Sequence, residues 1–329
     1  MGAINLQRRN FLQKSCTAAG VLASTPAFGY ELFESGNTHK AQLYFSYNVD
    51  FATSSTLALY MPLPLSLAGQ SITSIKIEGN HKDYELITSD WLKVLKARWE
   101  ESITSKNLDV IVSVELKHST ANLDLKDSRQ SGKNLLLGDA LQNKAHSLKK
   151  ASLTQEQKAL KAFEWVSKNL DSQQGQYASG IRTITSKDNE VLLRGENISA
   201  SSVFVELCRL VGLEAREAFG ISLHSQSNLL KVHRDGYSKH QYVRSVVKIA
   251  DKWVANDVLK AIQARESHNP SLADSAFKSW DNKWVLLNFS RDIVVDSKHL
   301  ATLNAVYGEV DGTRLSSYDT EHFRYAMFA

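Results

Sequence analysis

Between Gly195 and Gly220 the chain reads GENISASSVFVELCRLVGLEAREAFG, and the architecture of its second half follows from this segment. Gly195-Glu196-Asn197-Ile198-Ser199 is a loop opening a helix. Val203, Leu207 and Val211 recur at i, i+4 and i+8, which marks the buried stripe. Gly212 stands where helices end, and Leu213 to Gly220 enters a strand. Downstream, residues 240–249 (HQYVRSVVKI) form a second strand, turned at Ala250-Asp251-Lys252 and returned as Trp253-Val254-Ala255-Asn256-Asp257. A helix N-terminus facing a His-bearing strand, with an acid on the partner strand, is how a thiol nucleophile is set up. The helix dipole lowers the thiol pKa, the imidazole takes its proton and the acid orients the imidazole.

Upstream the periodicity is two. Residues 41–49 (AQLYFSYNV) place Leu43, Phe45, Tyr47 and Val49 on one face, and residues 108–117 place Leu108, Val110, Val112, Val114 and Leu116 on one face. Further strand candidates at 56–61, 71–78, 84–88 and 92–99 predict an antiparallel β-sandwich-like domain over residues 30–118. His81 and His118 stand alone there and read as surface or structural residues. The polar stretch 119–134 breaks the pattern, and a linker is expected over 119–150. Thr154 then opens a helix as its cap, with Gln157 three residues on, and Leu160, Phe163, Val166 and Leu170 hold helical spacing. Residues 151–329 mix helices and strands, so the fold class is α+β.

The N-terminus reads as an address. Arg8-Arg9-Asn10-Phe11-Leu12 has the R-R-x-F-L form of a bacterial twin-arginine signal, with a short apolar stretch behind it and small residues placed for cleavage after Gly29. The expected signal covers residues 1–29, the mature protein starts near Tyr30, and its destination is the periplasm. The 329 residues carry 39 Lys+Arg against 35 Asp+Glu, a formal +4. Arg8, Arg9 and Lys14 lie in the signal and no acid does, so the mature chain has 36 against 35, or +1. The basic balance is largely the export signal, and no acidic partner follows from it. No basic block and no phosphate or dinucleotide loop stands out, so no nucleic-acid partner is expected. No apolar run reaches the roughly 18–20 residues of a membrane span.

Several blocks resemble the transglutaminase-like (papain-like cysteine-protease) superfamily, closest to an exported bacterial branch with twin-arginine signals and a β-rich N-terminal domain. The 201–221 block is similar to its core helix and following strand. Phe163-Glu164-Trp165-Val166 stands at its preceding helix, and Met61-Pro62-Leu63-Pro64 at an early strand. His240-Gln241-Tyr242 stands at its His-x-Trp, Trp253-Val254 before its Asp, and Asn288 to Ile293 at the segment closing the domain. The resemblance implies a transglutaminase-like core over 151–329, with a nucleophile, His240 as base and Asp257 as orienting acid. It implies no cofactor.

The pattern breaks at the nucleophile. The family's Cys lies eleven residues before the cysteine of its Leu-Cys-Arg, and here that position is Asn197. An amide forms no thioester, but Asn is among the best helix caps, so a structural cap is expected there. Cys208 is the one cysteine of the mature chain, about 16 Å down the helix from the site, and is expected in the core. Ser199, Ser201 or Ser202 could supply a hydroxyl nucleophile. Tyr242 keeps an aromatic wall where the family has Trp. In an alternative alignment Asn256, not Asp257, fills the orienting position. His224, His233 and His240 lack a Cys or acid at ligand spacing, so no metal site is expected. The leading expectation is a catalytically inactive relative that holds a peptide, protein or envelope component in the old cleft. The rivals are a hydrolase or acyltransferase using a serine with His240, and a non-catalytic partner subunit of an active homologue.

Overall fold

The period-two segments build the first layer. In the computed structural model, β1 (Thr38–Asp50) and β6 (Ser105–Lys117) pair antiparallel along their whole length, from Thr38 opposite Lys117 to Asp50 opposite Ser105. Every alternate residue expected inside is buried, from Leu43 to Val49 on one strand and from Leu108 to Leu116 on the other. β3 (Gln70–Gly79) flanks β6, and β18 (Phe323–Phe328) flanks β1, giving the order β18-β1-β6-β3. The structure describes residues 38–50, 55–117, 134–223, 241–269, 273, 275–289, 291–315 and 323–328. The expected signal peptide, His118, His224, His233 and His240 lie outside them.

The second sheet runs through both halves of the sequence. It contains β2 (Leu57–Pro62), β4 (Asp83–Ser89), β5 (Leu92–Trp99), β10 (Ala215–Ser222), β11 (Gln241–Ile249), β12 (Lys252–Asn256), β13 (Trp284–Asn288), β16 (Tyr307–Val310) and β17 (Thr313–Arg314). Its order is β12-β11-β10-β13-β5-β2-β16-β17, with β4 on β5. The sandwich core between the sheets mixes Leu43, Val110 and Leu59 with Ile221, Val285 and Leu287 from the later strands. Buried Gln70 ties the halves: its amide donates to Leu65 O at 2.7 Å and Leu286 O at 2.8 Å, and accepts from Leu286 N at 2.8 Å. The sheet therefore crosses the expected boundary between 30–118 and 151–329, and Asn37–Ala329 is one compact unit.

Local chemistry explains the joints. β10 meets β13 through a register shift at Phe219/Gly220, where a Cβ on Gly220 would lie 2.5 Å from the Trp284 ring and 2.2 Å from Val285 O. Only glycine permits that approach. Ala250 and Asp251, at φ 48° and 63°, make the two-residue turn that joins β11 to β12 with both central residues left-handed.

Among the described residues, five helices belong with the β10–β12 half: α1 (Asp139–Lys150), α2 (Gln155–Asn169), α3 (Ser172–Gly175), α4 (Ala200–Leu210) and α5 (Val258–Glu266). The second half of the expected linker is α1. Leu141, Ala145 and Leu148 bury one face of it in the helical core, so this segment packs instead of merely connecting. α2 starts with the expected box, Thr154 Oγ1 accepting from Gln157 N at 3.2 Å while Gln157 Oε1 accepts from Thr154 N at 3.0 Å. Its buried stripe is Ala159, Ala162, Phe163 and Val166; Leu160 is exposed. The small alanines let α2 approach α4 closely enough for Phe163 to meet Phe204 edge-on at 5.8 Å. Two small sheets complete the fold: β7 (Leu136–Leu137), β9 (Val191–Glu196) and β8 (Ile181–Thr185) in that order, and β14 (Arg291–Val295) with β15 (Lys298–Thr302).

Candidate functional site

The N-terminus of α4 sits against β11. Ser201 Oγ donates to Val243 O at 2.8 Å, which pins the first helical turn to that strand. Ser202 Oγ accepts from Ser199 N at 2.8 Å and donates to the Glu217 carboxylate. Ser199 is the N-cap residue. Its buried oxygen faces Ser202 N in a reciprocal capping box, while among the described residues no group accepts from its hydroxyl. Of the three serines, Ser201 and Ser202 donate to Val243 O and Glu217, and Ser199 keeps an unspent O–H donor.

Asn197 is not the helix cap expected from the sequence. It lies two residues before Ser199, at φ 55°, in the left-handed region that Asn tolerates better than most residues. Its side chain accepts from Gly180 N at 2.6 Å and donates to Thr302 Oγ1 at 2.9 Å. Its own N–H donates to Gly180 O at 2.8 Å. Asn197 is therefore a strut joining the β8 loop, the α4 loop and β15. A cap was expected because Asn caps well in general; here the loop continues past it and Ser199 takes the cap.

Beneath the strut lies an ion pair that sequence reasoning missed. Arg291 and Glu217 are both buried, with Arg291 Nη2 2.9 Å from Glu217 Oε1. The same guanidinium donates to Glu196 O at 2.7 Å and to Asn197 O, gripping the loop backbone from below. Each charge answers the other's desolvation cost. The available signal was an acid at an inward position of the apolar strand AREAFGI.

On β11, Tyr242 and Arg244 share a strand face. Tyr242 Oη donates to Asp257 Oδ1 at 2.8 Å, and Arg244 Nε lies 3.2 Å from Asp257 Oδ2. Arg244 Nη2 lies 2.9 Å from both oxygens of Asp281. Asp257 also caps α5, accepting from Lys260 N at 3.0 Å. Burial, reinforced by Asp257, pushes the Tyr242 phenol well above its ordinary range. Burial opposes the Arg244 charge, but Asp257 and Asp281 outweigh it and raise its pKa. Burial likewise opposes the Asp281 charge, and Arg244 together with the Lys283 N–H overcomes it, so its pKa is lowered.

Asn256 faces away from this cluster. Its side chain accepts from Lys278 N at 3.1 Å and donates to Val254 O at 3.2 Å, fully buried. Of the two residues weighed for the orienting position, Asp257 is the one on the cleft.

Ser199, Tyr242, Arg244, Asp257, Lys260 and Asp281 line one cleft of about 560 Å³, with Gln176, Gln241 and Gln263 among its other walls. Asn197 is not among the lining residues. Cys208 is fully buried in the helical core, and burial pushes its thiol pKa up. Of the three expected site positions, Asp257 lines the cleft and Asn197 is held in the strut, while His240 lies outside the described residues. A larger groove of about 840 Å³ over β2 and β5 carries the ion pairs Lys82–Glu100 and Arg98–Asp83. Such exposed pairs are worth about 0–1 kcal/mol and point to no chemistry.

Residues 142–258 match the transglutaminase-like superfamily, from inside α1 to the first residue of α5, a span that includes Asn197, His240 and Asp257. The chain carries a transglutaminase-like domain. An uncharacterized protein of Haemophilus influenzae is 23% identical, over 81% of this chain and 84% of that one. A crystal structure of a candidate cysteine protease from Cytophaga hutchinsonii is similar with a TM-score of 0.47 and 12% identity, over 88% of this chain and 99% of that one. The transglutaminase-like domain is thus combined with a strand-rich N-terminal region, in the mixed fold expected. Among the described residues no helix is long and apolar enough to cross a membrane.

Proposed function

We propose that this is an exported, non-catalytic transglutaminase-like protein, carried to the periplasm by its twin-arginine signal, that binds a peptide, protein or envelope component in the α4–β11 cleft. One observation carries the reading. The residue at the family's nucleophile position, Asn197, spends both ends of its side chain on Gly180 and Thr302, as a structural strut does. The surroundings support it. Asp257 is engaged by Tyr242, Arg244 and its own helix, and Cys208 is buried away from the cleft.

The test is activity profiling of the purified full chain with amidase, peptidase and acyl-transfer substrates and with a fluorophosphonate, which reacts with activated serines. No turnover and no labelling are expected. Turnover abolished by His240→Ala, or labelling abolished by Ser199→Ala, would overturn the reading in favour of a serine enzyme.

A further inference from the structure

The polar groups of the cleft divide unequally between those already satisfied and those left open. The two carboxylates are engaged. Asp257 takes hydrogen bonds from Tyr242 Oη and Lys260 N and pairs with Arg244. Asp281 takes Arg244 Nη2 on both oxygens, and Lys283 N at 3.0 Å. Arg244 is held between these carboxylates and flanked by the Trp284 ring at 5.0 Å and the Tyr242 ring at 5.8 Å, with its Nε paired to Asp257 by charge and not by a hydrogen bond.

Apart from the glutamine amides, what remains open among the described residues is donors. Ser199, only 2% exposed, turns its oxygen toward Ser202 N, and no described group accepts from its hydroxyl where the cleft meets the start of α4. The N–H groups of Ala200 and Ser201, the first two of α4, lie beyond the reach of any carbonyl in their own helix. Among the described residues the Lys260 ammonium pairs with Asp281 at 3.7 Å, beyond hydrogen-bond length. The first turn of α4 holds no acid to offset its positive end. Lys260 and Arg244 balance Asp257 and Asp281 in formal charge, so the helix end tips the local field toward an anion.

We propose that the cleft recognises the C-terminal carboxylate of a peptide, seated on Ser199 and the α4 N-terminus with Lys260 beside it. This rests on the reading of the cleft as a peptide-binding site and names the end of the peptide that it takes. A carboxylate accepts from several donors at once, which matches the unspent groups, and charge-assisted bonds of this kind are the stronger ones. Gln176, Gln241 and Gln263, with donors and acceptors both, suit the amide backbone leading away from that terminus.

Calorimetric titration of the full chain with N-acetyl-Ala-Ala, its C-terminal amide and acetate tests this. The free acid should bind about tenfold more tightly than the amide, and acetate more weakly than the peptide acid. Ser199→Ala should bring acid and amide within about twofold of each other, and Lys260→Gln should weaken the acid alone. Ser199 is the N-cap of α4, so Ser199→Ala should lower Tm slightly while staying folded at the assay temperature, which circular dichroism checks; lost acid preference in the folded variant then reports recognition and not unfolding. Equal affinity for acid and amide would overturn the carboxylate anchor and leave the peptide cleft standing. Acetate binding as tightly as the peptide acid would make the site one for small carboxylates and also overturn it. Neither peptide binding at about 10 mM would sink the anchor and the peptide cleft together.

Discussion

Replacing Asn197 by alanine should cost far more than a half-exposed loop residue normally does. The substitution removes two hydrogen bonds, to Gly180 N and to Thr302 Oγ1, each worth about 1 kcal/mol. It also leaves a residue with a Cβ and no local side-chain bonding at φ 55°, adding about 1 kcal/mol. The sum, about 3 kcal/mol, corresponds to roughly 4–5 °C in Tm for a chain of this size. Asn197→Gly loses the same hydrogen bonds but sits freely at positive φ, so it should fall by only about 2 kcal/mol. The diagnostic is therefore the order wild type, glycine, alanine, the reverse of the usual ranking of those two small residues. Thermal unfolding followed by circular dichroism at one scan rate reads it directly. Alanine at or above glycine, or both within about 1 °C of wild type, would show that the side chain is not a strut.

Two further expectations follow from the burial of charge and thiol. Cys208 should resist iodoacetamide at pH 8 in the folded protein and react at the rate of a free thiol once the chain is unfolded, because burial both hides the sulfur and raises its pKa; mass spectrometry of the Cys208 peptide checks it, and fast native labelling would contradict the fold. Asp281 has a depressed pKa in the fold, so its stabilisation is present in full above its unfolded pKa of about 3.9 and is lost as pH falls through the lower folded value. Asp281→Asn should accordingly be less stable than wild type by a constant margin above about pH 5, with the margin shrinking toward pH 2; urea midpoints at several pH values measure it, and a pH-independent margin would mean the Arg244 pair contributes nothing.

The legible features were those set by residues near one another in sequence. The Val203-Leu207-Val211 stripe and the Gly212 stop depend on one helix, and the structure buries all three apolar residues and gives Gly212 a positive φ. The Thr154 box and the alternation in β1 and β6 are equally local. Leu160 misled because its size suggested burial, whereas close packing of α2 against α4 favours the smaller Ala159 and Ala162. The helix at 139–150 was hidden by a polar face with only three buried positions and by a glycine cap that makes no side-chain bond.

The site was legible as a place but not as a set of partners. The position of Asn197 in the chain is readable by counting back from Cys208; that its amide holds Gly180 and Thr302 is not, since Thr302 arrives from more than a hundred residues away. Arg244 and Glu217 each stand out as charges inside apolar strands, but their counter-ions Asp281 and Arg291 come from distant segments whose approach only the sheet order decides. The unspent O–H donor of Ser199 is a residue of elimination, visible only after Ser201 and Ser202 have found their partners.

The pairing of β18 with β1 sets the order of events during synthesis. The first described strand finds one of its two neighbours only when the last has left the ribosome, because Val49 waits for Phe323 and Tyr44 for Phe328. Until then β1 presents an open row of backbone donors and acceptors, the kind of edge on which nascent chains stick to one another. Contacts this distant in sequence also close slowly, since the whole intervening loop must be ordered first. Deleting β18 would leave that edge of β1 open, and such a variant should aggregate more readily than the full chain, which light scattering at equal concentration would show.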